Sequence, residues 1–281
     1  MLFGGTPRSL ADVSRLYADD SACASTIHVL RSDVDPRCPG CGSRRRWEAG
    51  RHRSICPDCL TEWSDTVGTL LHRNRIPLPA LFLATWLAST TRGINALSLA
   101  RQAGVSERTA WRLLGLMRQA MSASLTDALS GVVEADEAFL GRKEHQSTVV
   151  VLVEARKDGR VRMGVVPGQT MAVLTPFIAD RVEPGGTIRT DGWKGYSGLE
   201  RAGFIHERVV HAPGWVERGE RSTPYADEAI SAVKRWMLAT YQKPPTPENL
   251  DAYLAEFCFR REFRDPGAAF EALLRGLVTP R

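Results

Sequence analysis

The chain is 281 residues long, 43% hydrophobic and 25% charged, which leaves room for two or three domains and excludes disorder over most of its length. Lys and Arg outnumber Asp and Glu by 37 to 32, and the net charge of +5 suits a polyanionic partner without demanding one. The longest apolar run, residues 78–88, falls short of the roughly 20 residues of a membrane helix, and no basic stretch followed by an apolar run marks a leader, so the chain is expected in the cytoplasm and off the membrane.

Residues 1–35 read as a helical segment, and residues 36–75 as a zinc ribbon. Cys38-Pro-Gly-Cys41 and Cys56-Pro-Asp-Cys59 are two CxxC knuckles with fourteen residues between them. Each knuckle presents two thiolates from one tight turn. Together they complete a tetrahedral sulfur shell for a structural Zn²⁺, with Zn–S distances of about 2.3 Å. Pro39, Gly40 and Pro57 suit such turns. In a reducing compartment paired cysteines hold metal more often than they form disulfides. Cys23 and Cys258 stand alone and read as small buried hydrophobes. Between the knuckles Arg44, Arg45, Arg46, Arg51 and Arg53 accompany one acid, Glu48, on the expected hairpin arm. They are candidates to contact DNA phosphate; a hairpin with merely solvated charges would carry the same residues.

Residues 76–130 are expected to form a helix-turn-helix region. Residues 78–90 read as one helix. Residues 95–104 and 105–114 follow as a pair, with Gly104 in the left-handed conformation of a tight turn and Ser106 capping the second helix. Leu97, Ala100, Val105, Ala110 and Leu113 are the expected inward positions. The second helix is expected to expose Glu107, Arg108, Arg112 and Arg118, with Arg108 and Arg112 as candidate DNA contacts. A plain helical hairpin shares this apolar pattern; the basic ribbon beside it favours DNA.

After Gly131 the hydrophobic period becomes that of strands. Residues 132–139, 148–155 and 160–166 read as strands, with Lys157-Asp-Gly-Arg160 as the hairpin turn between the last two. Residues 170–180 are helix-like, and residues 187–190 form a short β-rich run ending at Asp191-Gly192. The order implies an α/β domain over residues 131–281. Asp136 lies inside the first strand and Asp191 at the end of the fourth. A carboxylate in such a run is costly unless paired, hydrogen-bonded or bound to metal. If the first and fourth strands are neighbours, the two acids meet and can hold Mg²⁺ or Mn²⁺ for phosphodiester chemistry. Singly, either aspartate fits a turn or a cap equally well. A third acid is expected from a helix over residues 227–238, as Asp227 or Glu228. These precede Lys234 and Arg235 by seven residues each, so each acid shares a helix face with its own cation.

Three segments carry a resemblance: Val133-Glu-Ala-Asp-Glu-Ala-Phe-Leu-Gly141, Thr190-Asp-Gly-Trp-Lys-Gly-Tyr196 and Asn249-Leu-Asp-Ala-Tyr-Leu-Ala-Glu-Phe-Cys-Phe-Arg260. With the ribbon they resemble the bacterial insertion-sequence transposases that have an N-terminal zinc ribbon and a short DDE core, the ISXO-type group. The resemblance implies a ribonuclease H-like catalytic domain and double-stranded DNA, both element ends and target, as partner. It also implies assembly as a homo-oligomer on that DNA, and metal-dependent strand cleavage and strand transfer. It matches Asp136 and Asp191 to the first two metal-binding aspartates and Lys234 to the lysine of the third motif. That motif departs from the pattern. Relatives carry Asn-x-x-Glu-x-x-Trp-Ser-x-x-Lys, and this chain has Pro224, Asp227, Ile230, Ser231 and Lys234 at those places. An active transposase and a catalytically inactive zinc-ribbon, helix-turn-helix DNA-binding protein derived from one are therefore both expected readings, separated by metal-dependent cleavage. A repair nuclease of the same chemistry is separated by whether a 3′-hydroxyl end is joined to a second duplex.

Overall fold

Two helices, α1 (Leu10–Leu16) and α2 (Asp20–Val34), begin on acceptor side chains: Ser9 Oγ takes the N–H of Asp12, and Asp19 Oδ1 that of Ala22. These bonds satisfy amides that a first helical turn leaves open. The protein is seen in a computed structural model that describes residues 5–35, 37–50, 53–90, 92–142, 145–191, 193–209, 223–243 and 245–280. The chain divides into two units, residues 1–124 with 263–281, and residues 125–262.

In the first unit the ribbon is a meander of β1 (Trp47–Glu48), β2 (Arg53–Ile55) and β3 (Glu62–Ser64), antiparallel in that order. Its core is small: Cys38, Cys56 and Trp63, with Val67 packed beside them. Then comes α3 (Leu78–Thr90), which is apolar nearly all round and buries Leu81, Phe82, Ala84, Trp86 and Leu87, as a helix without a polar face must. Next are α4 (Ala96–Ala103) and α5 (Glu107–Ala123), capped by the side chains of Asn95 and Ser106. Gly104 between them adopts φ 67°, ψ 31°, a left-handed conformation that costs glycine little.

Two inward-outward expectations for this pair are corrected. Leu97 is exposed and Leu99 takes the inward position, while Arg118 is buried rather than exposed. The helix α5 continues to Ala123, and its second half packs on a C-terminal helix, α9 (Pro266–Val278). Gly276 of α9 lies so close that an added Cβ would come within 2.6 Å of the Ala120 carbonyl oxygen. From the same helix Phe270 reaches Tyr17, Phe82 and Trp86, with ring centroids 5.9, 6.1 and 5.6 Å apart. Residues 263–281, expected with the α/β domain, therefore belong to the first unit, because the apolar face of α9 is satisfied by α2, α3 and α5.

The second unit is the expected α/β arrangement in its coarse form. Its strands are β4 (Val132–Arg142), β5 (His145–Glu154), β6 (Val161–Val166), β7 (Thr187–Thr190) and β8 (Ile205–Arg208). Among the described residues they form a mixed sheet in the order β6-β5-β4-β7-β8; β4, β5 and β6 are antiparallel, and β7 runs parallel to both β4 and β8. Asp158 turns the β5–β6 hairpin at φ 61°. One face of the sheet packs Val133, Ala135, Val150 and Leu152 against Leu174 and Ile178 of α6 (Met171–Ala179). The other packs Ala138, Leu140, Val149 and Val151 against α7 (Pro224–Tyr241) and α8 (Pro247–Glu262). Alternate residues of β4 serve alternate faces, as the pleat requires. The strand β8 had no counterpart in the sequence reading, because Ile205-His-Glu-Arg208 on a sheet edge is mostly polar.

Candidate acidic site and thiolate cluster

The parallel pairing of β4 with β7 sets Glu134 opposite Arg189. Two residues further on lie Asp136, within β4, and Asp191, one residue past the end of β7, so the register carries both aspartates to the same end of the neighbouring strands. Asp191 is exposed, and its Oδ1 accepts the Trp193 N–H at 3.0 Å. Asp136 is half-buried. Burial pushes its pKa up to about 6 against the Glu137 N–H donated to its Oδ1 at 2.7 Å, and the charges of Asp191, Asp227 and Glu134 push the same way. Several acids thus crowd one end of the sheet, and the charges around Asp136 make it harder to ionise. Glu137 points to the opposite face of β4, where burial raises it to about 7.

The first turn of α7, which carries Asp227, is positioned by a residue the sequence reading missed. Glu134 is fully buried, and its Oε2 accepts the N–H groups of Tyr225 and Ala226 at 2.7 and 3.0 Å. Thr223, at the start of α7, makes no side-chain cap bond, so a carboxylate from β4 does the capping, where the helix dipole also favours negative charge. Arg189 Nη1 lies 3.8 Å from Glu134 Oε1. This anchor fixes the first turn of α7 on the strand that carries Asp136, and Asp227 lies in that turn. Glu228 faces elsewhere: Arg261 of α8 grips it with two bonds, Nη1–Oε1 3.0 Å and Nη2–Oε2 2.8 Å. Lys234 is exposed two turns along α7 from Asp227. A buried glutamate two residues before Asp136 was visible in the sequence, but its role depends on a helix some ninety residues away.

Residues 128–262, from just before β4 to the end of α8, match the ISXO2-like transposase domain family. The chain carries an ISXO2-like transposase domain. A relative described as an uncharacterized protein in the transposable element ISH50 of Halobacterium salinarum is 27% identical over 287 residues, covering 90% of this chain and 95% of its own length. Among solved structures, a chain of the simian T-cell lymphotropic virus intasome in complex with the PP2A regulatory subunit B56 gamma aligns at 15% identity. It covers 61% of this chain and 66% of that one, at a TM-score of 0.32, a likeness too slight to bear on the fold.

Ahead of the transposase domain, the two knuckles converge. Cys38 Sγ lies 3.6 Å from Cys59 Sγ, Cys41 Sγ lies 3.5 Å from Cys56 Sγ, and all four sulfurs are within 4.8 Å of one another. Four sulfurs at tetrahedral corners about 2.3 Å from one Zn²⁺ would be about 3.8 Å apart, so the set fits that ion. The Gly40 N–H donates to Cys38 Sγ at 3.3 Å, and the hydroxyl and N–H of Thr61 lower the Cys59 thiol to about 6. Among the described residues these four are the group of three or more ligand side chains that can hold a metal ion; Asp136, Asp191 and Asp227 do not form a comparable group. The ribbon arginines are mostly engaged. Arg45 pairs with Asp58, Arg53 with Glu62, and Arg46 reaches Ser32 Oγ on α2. Arg44 is exposed, as are Arg108 and Arg112 on α5, and Arg51 lies outside the described residues.

Proposed function

We propose that the protein is a DNA transposase of an insertion sequence, which binds element ends as duplex DNA and cuts and joins strands in a ribonuclease H-like second unit. The observation that carries this reading is the register of β4 and β7, which carries Asp136 and Asp191 to the same end of the neighbouring strands while Glu134 ties the turn that carries Asp227 to β4. The hard oxygen donors of these three suit Mg²⁺ or Mn²⁺. Burial, reinforced by the neighbouring acids, holds Asp136 up at about 6, and a divalent cation would offset both. Such an ion, when bound, supplies Lewis-acid stabilisation of the charge that builds on phosphoryl oxygens. The bidentate hold of Arg261 on Glu228 supports Asp227 as the third acid. Lys234, exposed on the same helix, is placed to meet phosphate. In the first unit, Zn²⁺ on the four cysteines organises the ribbon, and α4 and α5 act as a helix-turn-helix whose Arg108 and Arg112, with Arg44, contact the duplex. Copies of the chain assemble on paired element ends. No described helix is long and apolar enough to cross a membrane.

The test uses the full chain and a duplex carrying the inverted repeats that flank the coding region. Asp191→Asn keeps the shape and removes the charge; strand cleavage is expected to fall by orders of magnitude, with binding to the ends preserved. Asp227→Asn is expected to be as damaging, and Glu228→Gln mild. Cleavage by Asp191→Asn at the wild-type rate overturns the assignment. A wild type that binds the ends and cleaves with neither Mg²⁺ nor Mn²⁺ leaves the inactive DNA-binding derivative in its place.

A further inference from the structure

The segment from Asp191 to Tyr196 holds more than a metal-type carboxylate. Trp193 leaves 53% of its surface exposed. Exposed apolar side chains scattered singly need no explanation, but this one is held in place. Its indole Nε1 donates to the Gln169 carbonyl at 3.4 Å, and its own N–H donates to Asp191 Oδ1. Gly195 is the seat. A Cβ there would lie 2.8 Å from both Cδ1 and Nε1 of the indole and would meet the Gln169 carbonyl oxygen more closely still. The chain therefore keeps a bare backbone under the ring and spends an indole hydrogen bond on fixing its edge, while over half of the side chain stays open to solvent. A side chain fixed in advance loses less entropy when a flat ligand settles on it.

Chain geometry says what that ligand is near. Two residues span at most about 7 Å, so a phosphate that a divalent cation would hold beside Asp191 has its neighbouring nucleotides within reach of Trp193, because bases rise about 3.4 Å apiece along a strand. Lys194, exposed beside it, offers a cation to the backbone. Resting on the transposase reading above, we propose that Trp193 is a stacking platform for a nucleobase lifted out of the duplex next to the phosphate that is cut. Lifting a base breaks its pairing and stacking, and an aromatic face offsets that loss for any base.

The experiment compares cleavage of two element-end duplexes by the full chain, one fully paired and one with a mismatch at the nucleotide flanking the cut. Trp193→Ala is expected to slow cleavage of the paired duplex roughly tenfold to a hundredfold, the range one base–aromatic stack is worth. On the mismatched duplex, where the base is already free, it is expected to come within a few-fold of wild type. Trp193→Phe should retain part of the rate, and Gly195→Ala, which displaces the ring while leaving it present, should repeat the paired-duplex defect. Equal cleavage of both duplexes by Trp193→Ala and wild type overturns the inference. So does a Trp193→Ala defect of the same size on both, which marks a residue that merely positions Asp191. If Asp191→Asn is inactive in the same assay, either result removes the platform alone. A wild type that cuts neither duplex removes the transposase reading and the platform with it.

Discussion

Glu134 performs for α7 the work usually done by the residue that begins a helix, and it does so from a strand. Two main-chain N–H groups end on its carboxylate in a fully buried place, where water cannot replace it. Glu134→Ala leaves both donors unsatisfied and is expected to destabilise the second unit by about 2–3 kcal/mol. Glu228→Ala, which removes an ion pair nearer the surface, should cost under about 1 kcal/mol. Urea unfolding with hydrogen exchange followed at the first turn of α7 measures both, and equal losses would contradict the anchoring role. A second buried acid, Glu154, makes a prediction in pH. Burial works to raise it, but Arg160 and Arg156 donate to it and hold it down at about 2. A carboxyl depressed in the folded state stabilises above its unfolded pKa of about 4.5, and that contribution is lost as pH falls toward 2. Wild type should therefore exceed Glu154→Gln in stability at pH 6, and the gap should narrow steadily below pH 4.5. A gap that is constant with pH would show that the charge is not what stabilises.

Among the elements, the ribbon depends most on a partner. Strands of two and three residues around Cys38, Cys56 and Trp63 bury too little apolar surface to order themselves, so metal binding is expected to supply most of the folding free energy. Elemental analysis should find one zinc per chain, and chelation should expose the amides of β2 and β3 to exchange while β4 and β5 stay protected. Absence of zinc with four freely titrating thiols would end this account. The elements also differ in how plainly the sequence announced them. The CxxC spacing and the two-residue alternation of β4 to β6 reflect local chemistry, and the strands lie within a few residues of where periodicity placed them. The helix α7 starts three residues before its expected first residue because Pro224 suits a first turn and the cap comes from Glu134, which no local pattern encodes. Leu97 and Leu99 were exchanged for a similar reason. In a helix as short as α4 (Ala96–Ala103) both fit an apolar stripe, and only packing chooses between them.

At the scale of the whole molecule, charge matters by where it is left unspent. The net +5 says little by itself, since Arg45 and Arg53 of the ribbon are already paired with acids. On the transposase reading, the salt dependence of DNA binding rests on the exposed cations, Arg108 and Arg112 of α5 and Arg44 of the ribbon. Arg108→Ala and Arg112→Ala should each reduce the slope of log affinity against log salt by roughly one, whereas Arg45→Ala should change it much less. A slope altered equally by all three would show that pairing with Asp58 does not keep Arg45 off the DNA. The division into units was the least legible level, because the apolar face of α9 is equally at home on a sheet or on helices, and only the assembled partners show its place. That helix has a consequence for the order of synthesis. Phe270 completes the cluster of Tyr17, Phe82 and Trp86, so the first unit cannot close until residues beyond 262 have left the ribosome. By then the whole of the intervening second unit, residues 125–262, has been translated. Translation stopped short of α9 therefore yields no finished copy of the first unit, and any DNA affinity that unit possesses matures only in chains that already contain the second.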